Sequence, residues 1–319
     1  MRTMQVVELG RPLVAAEVAE PVPGLGELLL RVRACGLNFA DTLLAEGRYQ
    51  EKPALPFAPG LEVCGIVEAL GPGVAGPEPG IRVASLCAHG GLAERVALPA
   101  AACVRVPDAM PDEAAAGFLV AYGTSHAALA FLARLRPGET LLVTGAAGGV
   151  GLTAVELGAL MGARVVAVAR GAAKRAAAAA AGAALTLDAE DDVAAALKRL
   201  GGADVVYDTV GGALFDACLR AANQGARLLP IGFAGGAVPA IPANRLLVKN
   251  QVVFGLYFGA WARARPAEAR ASLETLFAWY RLGRLRPQVG HVLPLAEAEA
   301  GLELIRSRAA TGKVVVRVG

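Results

Sequence analysis

Residues that bind metals or form disulfides are scarce in this sequence. It has only three histidines, at positions 89, 126 and 291, and none has a second metal ligand at a useful spacing. We therefore expect structural or surface roles for all three. The five cysteines are an odd number without a Cys-x-x-Cys pair, which suits neither a disulfide framework nor a structural zinc site. Most lie in apolar surroundings and are expected to be small buried side chains.

Long apolar runs and basic blocks are also missing. No stretch of about twenty apolar residues runs without a charge or a glycine, and Glu8 stands where a signal peptide would keep its apolar core. We expect a soluble, cytoplasmic protein with no membrane segment. A net charge of +3 without a basic block argues against nucleic acid as the main partner. At 319 residues, 55% of them apolar, the chain can form two domains with sizeable cores.

The most informative stretch runs from residue 139 to residue 170. An apolar, β-capable run at 141–144 ends at a glycine turn, and an apolar pattern of helical spacing follows over 149–161. A second β-run at 164–169 completes a unit with the length of a βαβ crossover. The pattern predicts strand, glycine turn, helix and strand.

The glycine turn has the spacing of a dinucleotide site. Ala146, Gly148 and Gly151 fall on the three small-residue positions, with alanine at the first and an extra glycine at 149. These positions give a tight turn, close approach to a pyrophosphate and close packing of helix on strand, while the helix N–H groups face the anion. The alternative is a purely structural turn. The residues predicted to bind the cofactor here are Ala147, Gly148, Gly149, Val150 and Gly151.

The first 118 residues contain short β-runs separated by many glycines and prolines, and they predict an irregular β-rich domain. A short helix is predicted near 38–47 and a longer helical region over 112–135. The predicted strands are 5–9, 27–35, 62–70, 82–84 and 93–98.

From residue 140 to about 257 strands alternate with helices, which predicts a parallel sheet with helices on both faces. The predicted strands are 141–144, 164–169, 184–187, 203–207, 227–231 and 251–256; the predicted helices are 149–161, 172–181, 190–200, 213–222 and 243–248. The tail contains a helix at 266–282, a β-run, a second helix and a final strand. Because such a tail has a thin core of its own, we expect it to fold back onto the N-terminal domain.

Five motifs in order along the chain carry a family resemblance. They are Cys-Gly-Leu-Asn-Phe-Ala-Asp (35–41), Gly-Leu-Glu-Val-Cys-Gly-Ile-Val (60–67), Gly-Ala-Ala-Gly-Gly-Val-Gly (145–151), Val-Val-Tyr-Asp-Thr-Val-Gly-Gly (205–212) and Gly-Lys-Val-Val-Val (312–316). With these motifs the sequence resembles the zinc-independent NADPH:quinone oxidoreductases, the zeta-crystallin relatives in the medium-chain dehydrogenase/reductase superfamily.

The resemblance implies an α/β protein of two domains. Residues 1–120 and 258–319 would form a GroES-like, β-rich catalytic domain, and residues 121–257 a Rossmann domain with a doubly wound parallel sheet. It also implies NADPH in the cleft between the domains and a homodimer formed through the last Rossmann strand, 251–256.

The resemblance also separates this chain from the zinc alcohol dehydrogenases. Those enzymes carry a metal-binding cysteine and histidine at the positions that match Asn38 and Leu61, and a four-cysteine lobe that has no counterpart here. Asparagine and leucine do not replace thiolate and imidazole as zinc ligands. We therefore predict no metal site and no Lewis-acid catalysis.

The residues predicted to act on the substrate are Asn38, Asp41 and Tyr49. In the family the segment that holds the first two faces the nicotinamide, and a substrate-side tyrosine is found near the third. The alternatives are a helix cap for Asn38 or Asp41 and a surface-packing ring for Tyr49. Thr124 matches the entry helix of the Rossmann domain, where it is suited either to hydrogen bonding near the nicotinamide or to helix packing.

Three residues after the second strand of the βαβ unit predict a preference for NADPH. Arg170, Gly171 and Lys174 lie where an NAD enzyme offers an acidic residue to the ribose 2′-hydroxyl, and no Asp or Glu occurs over 169–181. Arg175 is a further candidate for the 2′-phosphate. Asp188 stands at a position that is commonly tyrosine in the family, which leaves the adenine side open.

The ends of the fourth and fifth strands should also face the cofactor, because ligands bind at the carboxyl ends of parallel strands. Asp208 and Val210 follow the fourth strand, and Gly232 and Phe233 follow the fifth. Arg317, near the end of the chain, is a candidate for the phosphates.

The predicted function is metal-free hydride transfer from NADPH to a quinone. One alternative is an NADPH-dependent reductase of activated double bonds, such as enones or enoyl groups. The other is a cofactor-binding protein without significant turnover.

Overall fold

The computed structural model describes residues 1–319, and the chain forms two compact units. The first unit comprises Met1–Val120 and Pro287–Gly319, and the second comprises Ala121–Arg286. The chain passes from the first unit to the second between residues 120 and 121, where we placed the domain boundary. It returns to the first unit after residue 286, whereas we predicted this boundary after residue 257.

The elements are numbered in chain order. The strands are β1 Arg2–Gln5, β2 Val14–Glu17, β3 Glu27–Leu37, β4 Glu62–Leu70, β5 Arg82–Leu86, β6 Arg95–Pro99, β7 Cys103–Arg105, β8 Thr140–Thr144, β9 Arg164–Ala169, β10 Leu185–Asp188, β11 Val205–Asp208, β12 Arg227–Pro230, β13 Val252–Val253, β14 Val289–Pro294 and β15 Lys313–Arg317. The helices are α1 Phe39–Ala45, α2 Asp112–Ala116, α3 Leu119–His126, α4 Gly149–Leu160, α5 Ala172–Ala180, α6 Val193–Arg199, α7 Gly212–Ala221, α8 Ala243–Lys249, α9 Phe258–Ala264, α10 Pro266–Arg281 and α11 Ala298–Arg306. A π-helix, Ala127–Leu132, continues α3, and short 3₁₀ turns cover Ala100–Ala102 and Leu295–Glu297.

The first unit is built on a seven-stranded sheet. Its order is β14-β15-β3-β4-β5-β7, and β6 also pairs with β3. The long strand β3 alternates, with Leu28, Leu30 and Val32 fully buried and the residues between them half-buried. This alternation is typical of an antiparallel sheet that packs one face on a core. Because β15 pairs antiparallel with β3, the C-terminal strand joins the N-terminal sheet, as the length of the tail led us to expect.

The second unit is built on a parallel sheet of six strands. The order is β10-β9-β8-β11-β12-β13, and every pairing is parallel. The middle of β8 and nearly all of β9 are buried without alternation, because helices cover both faces of the sheet. The predicted fold class, an α/β protein with a β-rich domain and a doubly wound parallel sheet, is confirmed.

Aromatic packing explains why residues 258–286 belong to the second unit. The ring of Trp261 in α9 lies 5.4 Å from that of Phe131, and Trp279 in α10 packs edge-on against His126 at 5.5 Å. His126 Nδ1 also lies 2.7 Å from the hydroxyl of Ser272 in α10. These contacts bury one side of both helices against the end of α3, so the helices stay with the parallel sheet.

Three of the predicted elements have different bounds in the structure, and β2, β7 and α9 were not predicted. Strand 251–256 shortens to Val252–Val253, which pair with Arg227 and Leu228 of β12; further along β12, Pro230 has no N–H to continue the ladder. The first strand lies at Arg2–Gln5 instead of 5–9, and Val7 and Leu9 are each 47% exposed. The helical region 112–135 is interrupted after α2 and widens into the π-helix.

Candidate functional site

The glycine turn of the second unit follows β8 directly. Gly145 has a φ of +59°, and a Cβ there would lie 2.2 Å from the hydroxyl oxygen of Thr209, so only glycine fits. The tight turn is therefore made by Gly145, one residue before the alanine that occupies the first small-residue position. A Cβ at Gly151 would lie 2.2 Å from the carbonyl oxygen of Gly145, which brings α4 close to the strand. The backbone has the shape that the spacing predicted.

The start of α4 offers unpaired N–H groups. Leu152 donates to the Gly148 carbonyl oxygen at 2.9 Å, which is the first hydrogen bond of α-helical spacing, so Gly149, Val150 and Gly151 have no helical acceptor. Residues 148–150 are partly exposed, and a Cβ at Gly148 would meet only one atom, 3.4 Å away. Open space beside aligned N–H groups at a twelve-residue helix suits a phosphate group. Ala147 is buried in the turn, and its cofactor contact stays a prediction.

The loops after β11 and β12 are hydrogen-bonded to each other. Gly235 N donates to the carbonyl oxygen of Val210 at 2.8 Å, and Gly232 N donates to that of Asp208 at 3.3 Å. Phe233 lies close to Gly211, where a Cβ would come within 3.0 Å of the phenylalanine ring. The structure therefore brings the predicted residues of these two strand ends together at the carboxyl edge of the sheet.

The carboxylate of Asp208 is directed into the protein. It is fully buried, and it accepts hydrogen bonds from Gly211 N at 2.8 Å, from Val210 N at 3.4 Å and from the hydroxyl of Thr144. Burial raises the pKa of Asp208 above its ordinary value. We predicted this residue as a cofactor contact. The buried carboxylate holds the loop that follows β11, and a direct cofactor contact of Asp208 stays a prediction.

The turn between β9 and α5 contains the predicted 2′-phosphate residues. Arg170 and Gly171 are exposed and Lys174 is half-buried in the first turn of α5. Gly171 has a φ of +77°, and its N–H donates to Asp188 Oδ2 at 3.2 Å. The sequence did not indicate this contact, because Asp188 lies at the end of a different strand.

Helix α3 is fixed to α4 by polar contacts. Tyr122 donates to Glu156 Oε2 at 2.5 Å, and Glu156 Oε1 accepts from the backbone N–H of Arg286 at 2.7 Å. The Ser125 hydroxyl lies 2.9 Å from that of Tyr207 on β11. Thr124, between these contacts in the chain, is 7% exposed. The structure gives it a buried place in a helix interface, and its cofactor contact stays a prediction.

In the first unit Asn38 lies at the centre of a buried polar cluster. Lys313 Nζ donates to Asn38 Oδ1 at 2.6 Å and to Glu62 Oε1 at 2.5 Å. Asn38 Nδ2 donates to Glu62 Oε1 at 3.0 Å and to the carbonyl oxygen of Gly36 at 3.3 Å. Both amide hydrogens of Asn38 are thus in use, and the residue is 7% exposed. The amide is held by the protein and has no hydrogen left to donate to a substrate.

Sequence reasoning did not find Lys313 or Glu62. The available signal was a single charged residue at the start of each of two apolar β-runs, Glu-Val-Cys-Gly-Ile-Val at 62–67 and Lys-Val-Val-Val at 313–316. Opposite charges in buried strands require a partner. The side chains of Lys313 and Glu62 are only 8% and 1% exposed, so each depends on the other.

Asp41 lies in the first turn of helix α1 and caps the start of that helix with its carboxylate. One carboxylate oxygen accepts the N–H of Asn38 at 2.7 Å and the other accepts the N–H of Gly60 at 2.9 Å. The residue is fully buried, and burial raises the pKa of Asp41 to about 7. Of the two alternatives, the contacts show the cap, and a direct substrate contact of Asp41 stays a prediction.

Tyr49 and Arg317 are the remaining predicted residues. Tyr49 is half-buried and packs against the hydrophobic core of the first unit just after α1. Arg317, the last residue of β15, donates two hydrogen bonds to Glu113 Oε1, at 2.6 and 3.0 Å. The proposed substrate contact of Tyr49 and phosphate contact of Arg317 stay predictions.

The chain contains no group of three or more histidine, cysteine, aspartate or glutamate side chains placed to hold a metal ion. At the two positions that match zinc ligands in the alcohol dehydrogenases, the Asn38 amide is bound to an ammonium and Leu61 is a buried apolar residue. This donor set does not fit zinc. Separately, none of the helices is both long enough and apolar enough to span a bilayer.

Two families match parts of the chain. Residues 24–108 match the alcohol dehydrogenase GroES-like domain, and residues 149–276 match the zinc-binding dehydrogenase family. The second match extends past residue 257, in agreement with the extent of the second compact unit.

Individual relatives match over nearly the whole chain. The quinone oxidoreductase-like protein 2 homolog of Nematostella vectensis is 37% identical over 323 residues, which cover 99% of this chain and 88% of the relative. The quinone oxidoreductase of Thermus thermophilus, solved alone and with NADPH, is 39% identical with a TM-score of 0.88, covering 99% of this chain and 100% of the relative. The Escherichia coli quinone oxidoreductase, solved with NADPH, is 28% identical with a TM-score of 0.94 and the same coverage.

Proposed function

The chain belongs to the zeta-crystallin-like quinone oxidoreductase family of the medium-chain dehydrogenase/reductase superfamily, and from that membership we propose that it reduces quinones with NADPH. Membership makes it an oxidoreductase of the medium-chain type. The observation that carries the proposal is the start of α4, where the N–H groups of 149–151 have no helical partner beside a turn that only glycine can form. Two relatives with this fold were solved with NADPH.

The residues of the second unit suit this cofactor. We assign the pyrophosphate to the helix start at Gly148–Gly151 and the 2′-phosphate to Arg170 and Lys174. A hydrogen bond between a charged side chain and a phosphate stabilises binding by about 1.5–3 kcal/mol, which favours NADPH over NADH. The loops at Val210 and at 232–233 would complete the cofactor site.

When bound, NADPH supplies a hydride to the acceptor. The chain has no donor set for zinc at Asn38 and Leu61, so it does not strongly polarise an ordinary ketone or aldehyde. The acceptor must therefore already be electron-poor, as quinones and conjugated enones are. We assign the acceptor to the segment that contains Asn38 and Tyr49, where Asp41 and Lys313 fix the backbone and the amide. Tyr49 is the proposed hydrogen-bond donor to the acceptor oxygen.

The test is steady-state oxidation of NADPH with 1,4-benzoquinone, a conjugated enone and a simple aldehyde. We expect benzoquinone to have the highest kcat/KM and the aldehyde to be almost inactive. If the aldehyde is the best acceptor, the metal-free quinone reductase assignment is wrong. If the enone is best, the protein is a double-bond reductase, and binding of NADPH without turnover of any acceptor would make it a cofactor-binding protein.

Metal content is tested on the same preparation. We expect metal analysis of the purified protein to give no stoichiometric zinc, and chelators to leave its activity unchanged. One tightly held zinc per chain would contradict the donor-set argument.

We also propose that the protein forms a homodimer through the strand region 251–256. In support, β13 is the last strand of its sheet and pairs on one side only, with β12. Its Val252 is 44% exposed, and Leu247 and Val248 in the preceding helix are 77% and 73% exposed. An unpaired edge strand beside exposed apolar side chains is a typical surface for pairing with a second copy.

A further inference from the structure

An acidic residue reaches the turn that we assign to the 2′-phosphate. Strands β9 and β10 are parallel neighbours, and Asp188 lies opposite Ala169, the last residue of β9. Asp188 Oδ2 accepts the N–H of Gly171 at 3.2 Å and forms an ion pair with the guanidinium of Arg175. The carboxylate of Asp188, at the end of β10, therefore lies at the turn after β9, although β9 and the turn contain no acidic residue of their own.

The ion pair changes the charge that a ligand would meet at this turn. Three cations lie on it, namely Arg170, Lys174 and Arg175, and Asp188 neutralises the last of them. The side chains of Arg175 and Asp188 are 30% and 21% exposed, so the pair is screened less than a fully solvated one. A 2′-phosphate would have to compete with Asp188 for the guanidinium.

Asp188 is held in this orientation by its own backbone surroundings. Its Oδ1 accepts the N–H of Glu190 at 3.2 Å, and its N–H donates to Asp191 Oδ2 at 3.2 Å. Together with the bond from Gly171, these contacts fix both carboxylate oxygens. The carboxylate does not move away from the turn without losing hydrogen bonds.

We propose that Asp188 is a specificity-determining residue that weakens binding of the 2′-phosphate by holding Arg175, an inference that rests on the proposed function. A phosphate monoester carries about −1.5 to −2 charges at neutral pH, and a like charge beside it disfavours binding. The 2′-hydroxyl of NADH carries no charge and is not repelled. Asp188 therefore narrows the difference in affinity between NADPH and NADH.

The experiment measures dissociation constants for NADPH and NADH by fluorescence titration, without an acceptor. Asp188→Asn removes the charge and keeps an oxygen for the N–H of Gly171. We expect it to tighten NADPH about five- to tenfold and to change NADH less than about twofold. Glu190→Gln is the matched control, because it removes the same charge from an exposed neighbour that does not pair with Arg175; it should change both constants less than about twofold.

Variants of Arg175 test whether Asp188 weakens NADPH binding through its ion pair with Arg175. In an Arg175→Ala background Asp188 acts only by direct repulsion, so Asp188→Asn should tighten NADPH clearly less than it does in the wild type, and equal tightening there would overturn the proposal. Asp188→Ala provides a second removal of the carboxylate and must shift the NADPH to NADH ratio in the same direction. An unchanged ratio in a protein that binds NADPH overturns the inference alone, whereas a wild-type protein that binds neither cofactor also overturns the proposed function.

Discussion

The side chain of Lys313 carries its charge into the interior of the first unit. Glu62 Oε1 and Asn38 Oδ1 accept from its ammonium at 2.5 and 2.6 Å, and Glu62 Oε2 accepts the backbone N–H of Val120 at 2.9 Å. The aliphatic part of the lysine packs on Gly117, where a Cβ would lie 2.5 Å from Lys313 Cγ. The ion pair therefore links β4, β15 and the start of α3 within that unit.

We predict that Lys313→Met lowers the free energy of unfolding by about 3–5 kcal/mol. Methionine keeps the aliphatic packing and leaves the Glu62 carboxylate buried without a cation, so the loss comes from the unpaired charge. The matched control is Arg317→Met on the same strand, whose pair with Glu113 is exposed and should contribute at most about 1 kcal/mol. Urea denaturation followed by circular dichroism measures both. Equal losses of unfolding free energy in the two variants would show that the buried pair stabilises the protein no more than the exposed pair does.

At the scale of elements, the contact between α3 and α10 depends on a neutral histidine. Burial lowers the pKa of His126 to about 4, and its ring packs between Phe131 and Trp279. Because this folded-state pKa lies below the ordinary value of about 6.5, the folded protein binds fewer protons than the unfolded chain between those two pH values. The contribution of His126 to the free energy of unfolding therefore falls as the pH is lowered from about 6.5 towards 4, opposite in sign to that of Asp41, whose pKa is raised to about 7 by burial.

We predict that this loss amounts to at most about 3 kcal/mol and that His126→Leu with Ser272→Ala removes most of it. Tryptophan fluorescence is the probe, since both tryptophans, Trp261 and Trp279, belong to the second unit. The control is Ser272→Ala alone, which keeps the titrating ring and should keep the pH dependence. A double variant with the wild-type slope between pH 4 and 6.5 would contradict the prediction.

Local sequence patterns were sufficient for most of the parallel sheet. The glycine turn and the strand at 164–169 were predicted within a residue, because turn chemistry and apolar runs are local signals. The cluster around Asn38 was not predictable in this way. Its partner Lys313 is 275 residues away in the chain, and no local pattern shows that two distant strands will pair. The contact of Asp188 with Gly171 was not predictable for the same reason, since the register between β9 and β10 brings the two residues together.

At the scale of the whole molecule, the extent of the second unit also depends on contacts that local sequence patterns do not predict. The alternation of strands and helices ends near residue 257, and from the family resemblance and the thin core of the tail we assigned the remaining chain to the other domain. Helices α9 and α10 stay with the parallel sheet because Trp261, Trp279 and Ser272 pack against the end of α3. Amphipathic helices show that a partner exists, but their sequence does not show which domain supplies it.

The proposed homodimer can be tested at the free edge of strand β13. Val252 N donates to Ala226 and Phe254 N donates to Leu228, at 3.0 and 2.9 Å, so the N–H of Val253 between them points away from β12. In a dimer that pairs two copies of this strand across a twofold axis, that N–H would donate to the second copy.

We predict that Val253→Pro converts the proposed homodimer into a folded monomer. Proline removes the outward N–H and is tolerated at a sheet edge, while Val253→Ala keeps the N–H and should keep the dimer. Val252→Pro instead removes a bond to β12 and should destabilise the second unit itself. Sedimentation velocity at equal protein concentrations, with circular dichroism as the check on folding, separates these outcomes. If Val253→Pro sediments as the wild-type dimer does, the interface lies elsewhere, and a monomeric wild-type protein would exclude the homodimer altogether.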